Sequence, residues 1–343
     1  MNPKKNVSLS NYSTMRLGGI ADYLVEIHSK TELTEAVSWA NGRNLPVIMI
    51  GGGSNIYWND AGFRGLVLVN KITGYKDELQ TDGSHLITIG AGEVWDRVVA
   101  RSVEANLTGI EALSLIPGSA GGTPIQNVGA YGQRISRVLV SLEAFDMQTN
   151  NFVTLTEAEC AFGYRESRFK TTDRGRFLIT SILLRLENGN PKPPYYAAIE
   201  DYLQQRPTSG PITPAKLRNI VIAIRESKLP DPAKVANNGS FFANPIVNTE
   251  VAERLRAKFP EIPCWPGDDD TYKIPAAWLI ESVGLKGFHD PETGMATWDK
   301  HALVLVNEHA KTTNDLLQFK QRVVRAVQEK FGITLLQEPE LLP

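Results

Sequence analysis

A glycine-rich run near the middle of the chain, residues 117–132 (PGSAGGTPIQNVGAYG), is the stretch best suited to hold a ligand. Because glycine has no side chain and tolerates positive φ, the backbone N–H groups of such a run can approach a ligand closely and surround a phosphate. The hydroxyl groups of Ser119 and Thr123 can add donors. A long surface loop is the alternative interpretation, but such loops are usually more polar, and Ile125, Val128 and Tyr131 favour burial. We therefore predict a ligand-cradling loop.

A second glycine turn, residues 51–55 (GGGSN), directly follows a short apolar strand predicted over residues 46–50. It is not the dinucleotide-binding fingerprint G-x-G-x-x-G, because Ile56 stands at the third glycine position and residues 56–61 indicate a loop rather than a helix. The chain also lacks the phosphate-binding pattern G-x-x-x-x-G-K-[ST]. A tight turn explains one or two glycines better than three in a row. We therefore predict a second phosphate contact here.

Length and charge limit the domain count, the partners and the compartment. A chain of 343 residues suits two or three domains. The net charge is −2 and no basic block is present, which argues against nucleic acid as the main partner. The N-terminus has no apolar signal segment, and no run approaches the roughly 18 apolar residues of a membrane helix. We expect a cytoplasmic protein that makes no membrane contact.

The cysteines and histidines indicate no metal site. Cys160 and Cys264 are far apart and form no C-x-x-C pair, so we expect two buried thiols rather than a disulfide or a zinc cluster. The five histidines show no H-E-x-x-H spacing. We predict no catalytic metal.

The apolar pattern of the first two thirds predicts an α+β layout that positions the glycine turns. A strand at residues 22–27 leads to a capping box at Ser29 and Glu32, which starts a helix through Ala40. One helix at residues 94–105 lies among short strands at residues 66–69, 85–89, 138–145, 152–154 and 177–186. Residues 188–210 are proline-rich and aperiodic, and they predict a linker or flap at a domain boundary.

The last third predicts a separate, compact α/β domain with a short tail. A helix starts at Thr213 and Pro214 and ends before Pro230. The later elements are a helix at residues 277–283, a strand at residues 303–306, a helix at residues 313–331 closed by Gly332, and the tail at residues 333–343.

Four sequence patches, taken in order, resemble one enzyme family. They are residues 50–55 (IGGGSN), residues 116–122 (IPGSAGG) with 126–132 (QNVGAYG), residues 162–170 (FGYRESRFK), and residues 228–232 (KLPDP) followed by 239–245 (GSFFANP). Their order and spacing are similar to those of the UDP-N-acetylenolpyruvoylglucosamine reductases from Asn11 to Glu340, nearly the whole chain.

The resemblance implies an α+β chain with a two-subdomain FAD-binding fold of the vanillyl-alcohol-oxidase type and a C-terminal α/β substrate-binding domain. The subdomains would span residues 1–70 and 71–210, the second with a flap at residues 188–210, and the substrate domain with its tail would span residues 211–343. The implied FAD contacts are Gly51, Gly52, Gly53, Ser54, Asn55, Pro117, Gly118, Ser119, Gly121, Gly122 and Thr123.

The resemblance also implies a reaction. NADPH would reduce FAD, and the flavin would then reduce the enolpyruvyl ether of UDP-N-acetylglucosamine to a lactyl ether, giving UDP-N-acetylmuramate for peptidoglycan synthesis, cell-wall growth and cell division. The chain has no dinucleotide fingerprint, and the resemblance implies that the nicotinamide and the sugar nucleotide would take turns in one cleft, with ping-pong kinetics. We expect a monomer whose substrate is a small molecule.

Three residues are the catalytic candidates that follow from the resemblance and from the needs of this chemistry. Hydride addition places negative charge on the substrate carboxylate, which the planar guanidinium of Arg165 can bind. The resulting carbanion needs a proton, for which Ser240 is the candidate. Glu340 would be a second acid that hydrogen-bonds the carboxylate, and Glu338, two residues earlier, is its competitor. The alternatives without a catalytic role are a surface salt bridge for Arg165, a turn hydroxyl for Ser240 and a solvent-exposed tail position for Glu340.

Further substrate contacts follow from the same resemblance. Tyr164 would pack beside the catalytic arginine, and Tyr196, or its neighbour Tyr195, would close over the uridine nucleotide. Lys228 and Asn244 would contact the substrate diphosphate or the nicotinamide, although Lys228 can also be a charge that complements a helix C-terminus. Arg16 with Gly18 would be a further flavin or substrate contact.

Two other functions stay open at this point. A flavin oxidase of the same superfamily, acting on a sugar or hydroxy acid, would share the glycine turns but would have no use for Ser240 with Glu340. A non-catalytic nucleotide-binding protein would bind a ligand without turnover, so NADPH would not bleach a flavin in it.

Overall fold

The computed structural model describes residues 2–267 and 269–343 of the chain. The α-helices in this part are α1 (Lys30–Asn41), α2 (Trp95–Glu104), α3 (Ala197–Gln205), α4 (Pro214–Lys228), α5 (Thr249–Lys258), α6 (Ala276–Ser282) and α7 (Thr313–Phe331). The strands are β1 (Lys4–Ser8), β2 (Ile20–Ile27), β3 (Val47–Ile50), β4 (Ile56–Trp58), β5 (Phe63–Asn70), β6 (Tyr75–Leu79), β7 (His85–Gly90), β8 (Leu107–Thr108), β9 (Gly129–Ala130), β10 (Gln133–Arg134), β11 (Leu139–Asp146), β12 (Asn151–Thr156), β13 (Phe177–Asn188), β14 (Ala236–Ser240), β15 (Ile246–Asn248), β16 (Trp265–Pro266), β17 (Thr271–Lys273), β18 (His289–Asp290), β19 (Met295–Trp298), β20 (His301–Asn307) and β21 (Glu340–Leu342).

The first compact unit contains Met1–Val7, Ala21–Gly52 and Phe63–Glu226. One of its sheets has the order β1-β2-β5-β3, with β2, β5 and β3 parallel, and its core includes the apolar face of α1. Its largest sheet has the order β12-β11-β13-β7-β6, pairs antiparallel throughout, and shares its core with the apolar face of α2.

The second compact unit contains Ser8–Ile20, Gly53–Gly62 and Ser227–Pro343. Its main sheet has the antiparallel order β14-β20-β19-β18, and a smaller one has the order β15-β17-β16. Strand β21 from the C-terminal tail pairs parallel with β4. The long helix α7 buries one apolar face, formed by Leu316, Phe319, Val323, Val327 and Phe331, in the core of this unit.

The mixture of helices and strands confirms the α+β class. The predicted start of α1 and the predicted end of α7 are confirmed as well. The Ser29 hydroxyl accepts the Glu32 N–H at the start of α1 (3.1 Å), but the Glu32 carboxylate accepts the N–H of His28 instead of completing a capping box at Ser29. Helix α7 ends at Gly332, whose φ of 70° is left-handed.

Three sequence predictions of structure are wrong. Residues 56–61 were predicted as a loop, but residues 56–58 form β4, because their strand partner is the distant tail, which the sequence pattern could not place. The segment at residues 188–210 was predicted to be aperiodic, yet it contains α3, whose Ile199 is buried in an apolar cluster with α4. Cys264 is only half-buried, whereas Cys160 is buried as predicted, and burial raises the pKa of its thiol to about 12.

Candidate functional site

Two glycine turns of the first unit lie against each other. A Cβ added to Gly52 would lie 2.9 Å from the Gly118 Cα, and one added to Gly51 would overlap the Ser119 hydroxyl. Gly118 itself has a φ of 121°, in the region that favours glycine. The two backbones can approach this closely only because glycine occupies these positions.

Several backbone donors of these turns have no hydrogen-bond acceptor within residues 2–267 and 269–343. Among the described residues, no acceptor is found for the N–H groups of Gly51, Gly52, Gly118 and Ser119. A set of backbone N–H groups with no acceptor, on turns this poor in side chains, suits an anion such as the diphosphate of a dinucleotide. The residues present therefore fit a bound FAD diphosphate.

Other predicted contacts of the same loop use their N–H groups internally. Gly121 donates to the Ala91 carbonyl (2.9 Å), and Gly122 and Thr123 donate to the carbonyls of Ser119 and Ala120 (3.0 and 3.1 Å). The Thr123 hydroxyl also donates to the Ala120 carbonyl (2.7 Å). These three residues shape the turn, and they retain no main-chain donor for a phosphate, contrary to the expectation from the glycine count.

Gly53 and the residues after it belong to the second unit. Gly53 has a φ of 69°, and its carbonyl accepts the N–H of Thr14 (3.1 Å). The Asn55 carboxamide donates to the Glu338 carbonyl (3.4 Å), and the Asn55 carbonyl accepts the N–H of Glu340 (2.9 Å). The end of this turn is therefore tied to the C-terminal tail.

Arg165 is connected to the glycine-rich run of the first unit. Its Nη2 donates to the Gly129 carbonyl (2.9 Å), and its guanidinium lies 5.5 Å from the centre of the Tyr164 ring, as the prediction of a packed neighbour requires. The Asn127 carboxamide donates to the Gly163 carbonyl (3.0 Å) and holds the same loop. Arg165 is half-buried rather than solvated.

The two flap tyrosines have different surroundings. The Tyr195 hydroxyl donates to the Pro191 carbonyl (3.1 Å), and its N–H donates to the Glu200 carboxylate. The Tyr196 ring is 47% exposed and meets the Tyr131 ring edge-on at 5.8 Å. Of the two rings, that of Tyr196 is the one presented to solvent, which agrees with choosing it for a nucleotide contact.

A half-buried arginine that contacts Tyr131 was missed by the sequence reasoning. Arg225 hydrogen-bonds the Tyr131 hydroxyl, and its Nε has no partner among the described residues. Burial lowers the pKa of Arg225, while Tyr131 and Asp96 oppose that shift. The sequence signal that could have identified Arg225 was its position directly after Ile224 on the apolar face of a helix.

Ser240 ends strand β14 of the second unit, next to two buried rings. Gly239 has a φ of 70°, and the β14–β20 register shifts between Asn237 and Ser240. Phe241 and Phe242 are fully buried, as expected for residues that exclude water. Within residues 2–267 and 269–343, the half-buried Ser240 hydroxyl makes no hydrogen bond.

The two tail glutamates lie on either side of Pro339. The N–H of Glu338 donates to the Phe241 carbonyl (2.9 Å), so the tail runs beside the residue that follows Ser240. Glu338 is 8% exposed and Glu340 is half-buried, so neither glutamate is a fully solvent-exposed tail residue.

The remaining candidates make contacts within the second unit. The Asn244 Oδ1 accepts the Ala276 N–H (2.9 Å) at the start of α6. Arg16 Nη2 donates to the carbonyls of Pro232 and Ala233 (3.0 and 2.7 Å). A Cβ at Gly18 would come within 2.5 Å of the Trp58 Cβ, so this glycine is required by packing.

Lys228 ends α4, and its charge acts on the half-buried imidazole of His301. Burial, followed by the positive charge of Lys228, lowers the pKa of His301, while Glu281 opposes the shift. A cation at this helix C-terminus complements the helix dipole.

Residues 2–267 and 269–343 contain neither a membrane-spanning helix nor a cluster of metal ligands. No helix there is long and apolar enough to cross a membrane. No cluster of three or more His, Cys, Asp or Glu side chains there could hold a metal ion.

Comparisons with known proteins agree with the geometry. Residues 21–155 match a family described as FAD binding domain, and residues 231–342 match the family UDP-N-acetylenolpyruvoylglucosamine reductase, C-terminal domain. The fold resembles a crystal structure of UDP-N-acetylenolpyruvylglucosamine reductase from Thermus caldophilus, with a TM-score of 0.69 at 23% identity over 100% of both chains.

Relatives named UDP-N-acetylenolpyruvoylglucosamine reductase match nearly the full length. The protein from Ralstonia nicotianae is 38% identical over 97% of both chains, and the one from Escherichia coli is 37% identical over 98% of this chain and 95% of its own. The one from Streptomyces avermitilis is 41% identical over 96% of this chain and 92% of its own. The chain belongs to the UDP-N-acetylenolpyruvoylglucosamine reductase family.

Proposed function

We propose that this protein is an FAD-dependent reductase that uses NADPH to convert UDP-N-acetylglucosamine enolpyruvate into UDP-N-acetylmuramate, a peptidoglycan precursor. The observation that carries the proposal is the 38% identity to the Ralstonia nicotianae reductase over 97% of both chains. The match of residues 231–342 to the reductase's own C-terminal domain argues against an oxidase and against a non-catalytic nucleotide-binding protein. We also propose a cytoplasmic monomer, with the predicted domains at residues 1–70, 71–210 and 211–343.

Each candidate residue has a separate role in the proposed reaction. The chemistry that bound FAD would supply is hydride transfer from NADPH to the enolpyruvyl group. The N–H groups of Gly51, Gly52, Gly118 and Ser119 hold the FAD diphosphate. The guanidinium of Arg165 binds the substrate carboxylate and stabilises the negative charge that develops on it.

Protonation of the substrate completes the reaction. The Ser240 hydroxyl donates a proton to the carbon beside the carboxylate, and its lack of a hydrogen-bond partner among the described residues supports that role. Glu340 hydrogen-bonds the same carboxylate; Glu338 is the alternative. Lys228 and Asn244 contact the substrate diphosphate, and Tyr164 packs against the catalytic guanidinium.

The first prediction concerns the cofactor. The protein should purify yellow and release FAD on boiling or acid treatment, because residues 51–55 and 117–132 contain no histidine or cysteine for a covalent link. Gly52→Ala should weaken FAD binding by about 10–100-fold, since its Cβ would displace the Gly118 backbone and disturb hydrogen bonds to a charged group. Fluorescence titration of the apoprotein with FAD measures the FAD affinity of the wild type and of this variant.

Gly122→Ala is the matched control for this variant. A Cβ there would meet its nearest neighbour at 3.8 Å, an ordinary contact, so FAD affinity should stay within about threefold of the wild type. Colourless protein, colour that stays in the pellet, or equal effects of the two alanines would contradict the assignment.

The second prediction concerns the flap. If the exposed Tyr196 ring stacks on uracil, Tyr196→Ala should raise the KM for the sugar nucleotide by about 5–150-fold, since such stacking contributes about 1–3 kcal/mol. Tyr196→Phe keeps the ring and should stay near the wild type. FAD content should be normal in both variants. An unchanged KM in Tyr196→Ala would remove this residue from the site and make Tyr195 the next to test.

A further inference from the structure

Asn238 lies two residues before Ser240 on β14, and no sequence pattern distinguished it. Its side chain is 5% exposed. The Nδ2 group donates to the Thr14 hydroxyl (3.1 Å) and to the carbonyls of Ser54 (3.2 Å) and Ile56 (3.1 Å). One buried carboxamide therefore holds the end of the glycine turn at residues 51–55.

The tail holds the same short segment from its other edge. The Ser54 and Ile56 carbonyls meet Asn238, and the Asn55 carbonyl between them accepts the N–H of Glu340 (2.9 Å). Residues 54–56 are thus fixed between the strand that carries Ser240 and the tail that carries Glu340.

The other end of the carboxamide is unsatisfied. The Asn238 Oδ1 is buried and accepts no hydrogen bond from any described residue. A buried carbonyl oxygen without a donor destabilises a fold. The hydrogen bonds that the asparagine contributes are therefore those of its N–H donors, which bind the Ser54 and Ile56 carbonyls.

We propose that Asn238 is a positioning residue that fixes residues 54–56, at the end of the glycine turn, against the strand that carries the proton donor. Through the Ser54 and Ile56 carbonyls it fixes the backbone of this segment, and through β14 it fixes the position of Ser240 relative to that segment. The second part rests on the proposed reductase function, whereas the first part requires only that the protein binds FAD.

The experiment compares Asn238→Ala and Asn238→Leu with the wild type. Both remove the N–H donors, but leucine keeps the shape, removes the unsatisfied oxygen, and provides a folded variant should alanine leave a cavity. Thr14→Val is the control, because it removes one acceptor that is not part of the turn. The measurements are the FAD dissociation constant of the apoprotein, its melting temperature, and, at saturating FAD, the separate rates of flavin reduction by NADPH and reoxidation by the enolpyruvyl substrate.

We expect both Asn238 variants to bind FAD about tenfold more weakly and to be reoxidised at least about tenfold more slowly, with flavin reduction within about threefold of the wild type. Thr14→Val should stay near the wild type in all measurements. A lowered melting temperature with unchanged FAD affinity and reoxidation, or normal behaviour of the leucine variant, would overturn the proposal. Failure of the substrate to reoxidise the wild type would refute the proposed function instead, and the FAD titration would still test Asn238.

Discussion

Arg165→Ala should slow reoxidation of the reduced flavin by the enolpyruvyl substrate by about 10²–10³-fold, or about 3–4 kcal/mol of barrier, as expected for loss of a group aimed at developing charge. Flavin reduction by NADPH should change little, because no substrate carboxylate takes part in that step. Stopped-flow absorbance measures the two half-reactions separately. Arg165→Lys should recover only part of the rate, since an ammonium group keeps the charge but not the bidentate geometry.

The contact of Arg165 with the Gly129 carbonyl requires a control for structural damage. Asn127→Ala removes a second tether between the glycine-rich run and the same loop, the bond to the Gly163 carbonyl, without changing charge. FAD content should be normal in both variants, and Asn127→Ala should be reoxidised within about fivefold of the wild type. Equal slowing by the two alanines would mean that Arg165 acts as a tether and binds no carboxylate.

The elements that the sequence predicted well are those specified by neighbouring residues. Helices α1, α2, α4 and α7 have apolar residues at helical spacing and end signals within one turn, such as Ser29 and Gly332. Strand β4 was missed because its partner β21 lies near the other end of the chain, and no local pattern encodes such a pairing. Helix α3 was missed because its nine residues directly follow several prolines, and the whole segment was interpreted as aperiodic.

For the candidate site too, the sequence predicted some features and missed those that depend on the folded structure. The composition of the two glycine runs predicted a phosphate cradle, but which N–H groups remain without an acceptor depends on bonds such as that from Gly121 to the Ala91 carbonyl. Arg225 and Asn238 were missed for a related reason: each is recognised by a buried atom that lacks a partner, and only the folded backbone shows that. The roles of Arg165, Ser240 and Glu340 came from the family resemblance and stay predictions.

Ser240→Ala should impair only the second half-reaction. NADPH should still bleach the flavin at a near-normal rate, because hydride transfer to FAD needs no proton from this serine. Reoxidation by the enolpyruvyl substrate should slow by at least about 10²–10⁴-fold, roughly 3–5 kcal/mol of barrier, as expected for a lost general acid. Stopped-flow absorbance follows both steps, and FAD content and melting temperature serve as controls.

The structure makes this variant a clean test, because the Ser240 hydroxyl bonds to no described residue and its removal breaks no hydrogen bond within the part of the chain that the structure covers. Backbone pairing of β14 with β20 at Val304 does not depend on the side chain. Ser240→Cys should restore part of the reoxidation rate, since a thiol is a stronger acid than a hydroxyl, although it is bulkier. If Ser240→Ala slows reduction and reoxidation alike, the serine has a structural role and the proton comes from another group. Glu340→Gln would then be the next variant to examine, followed by Glu338→Gln, because both carboxyl groups belong to the tail that runs beside Phe241.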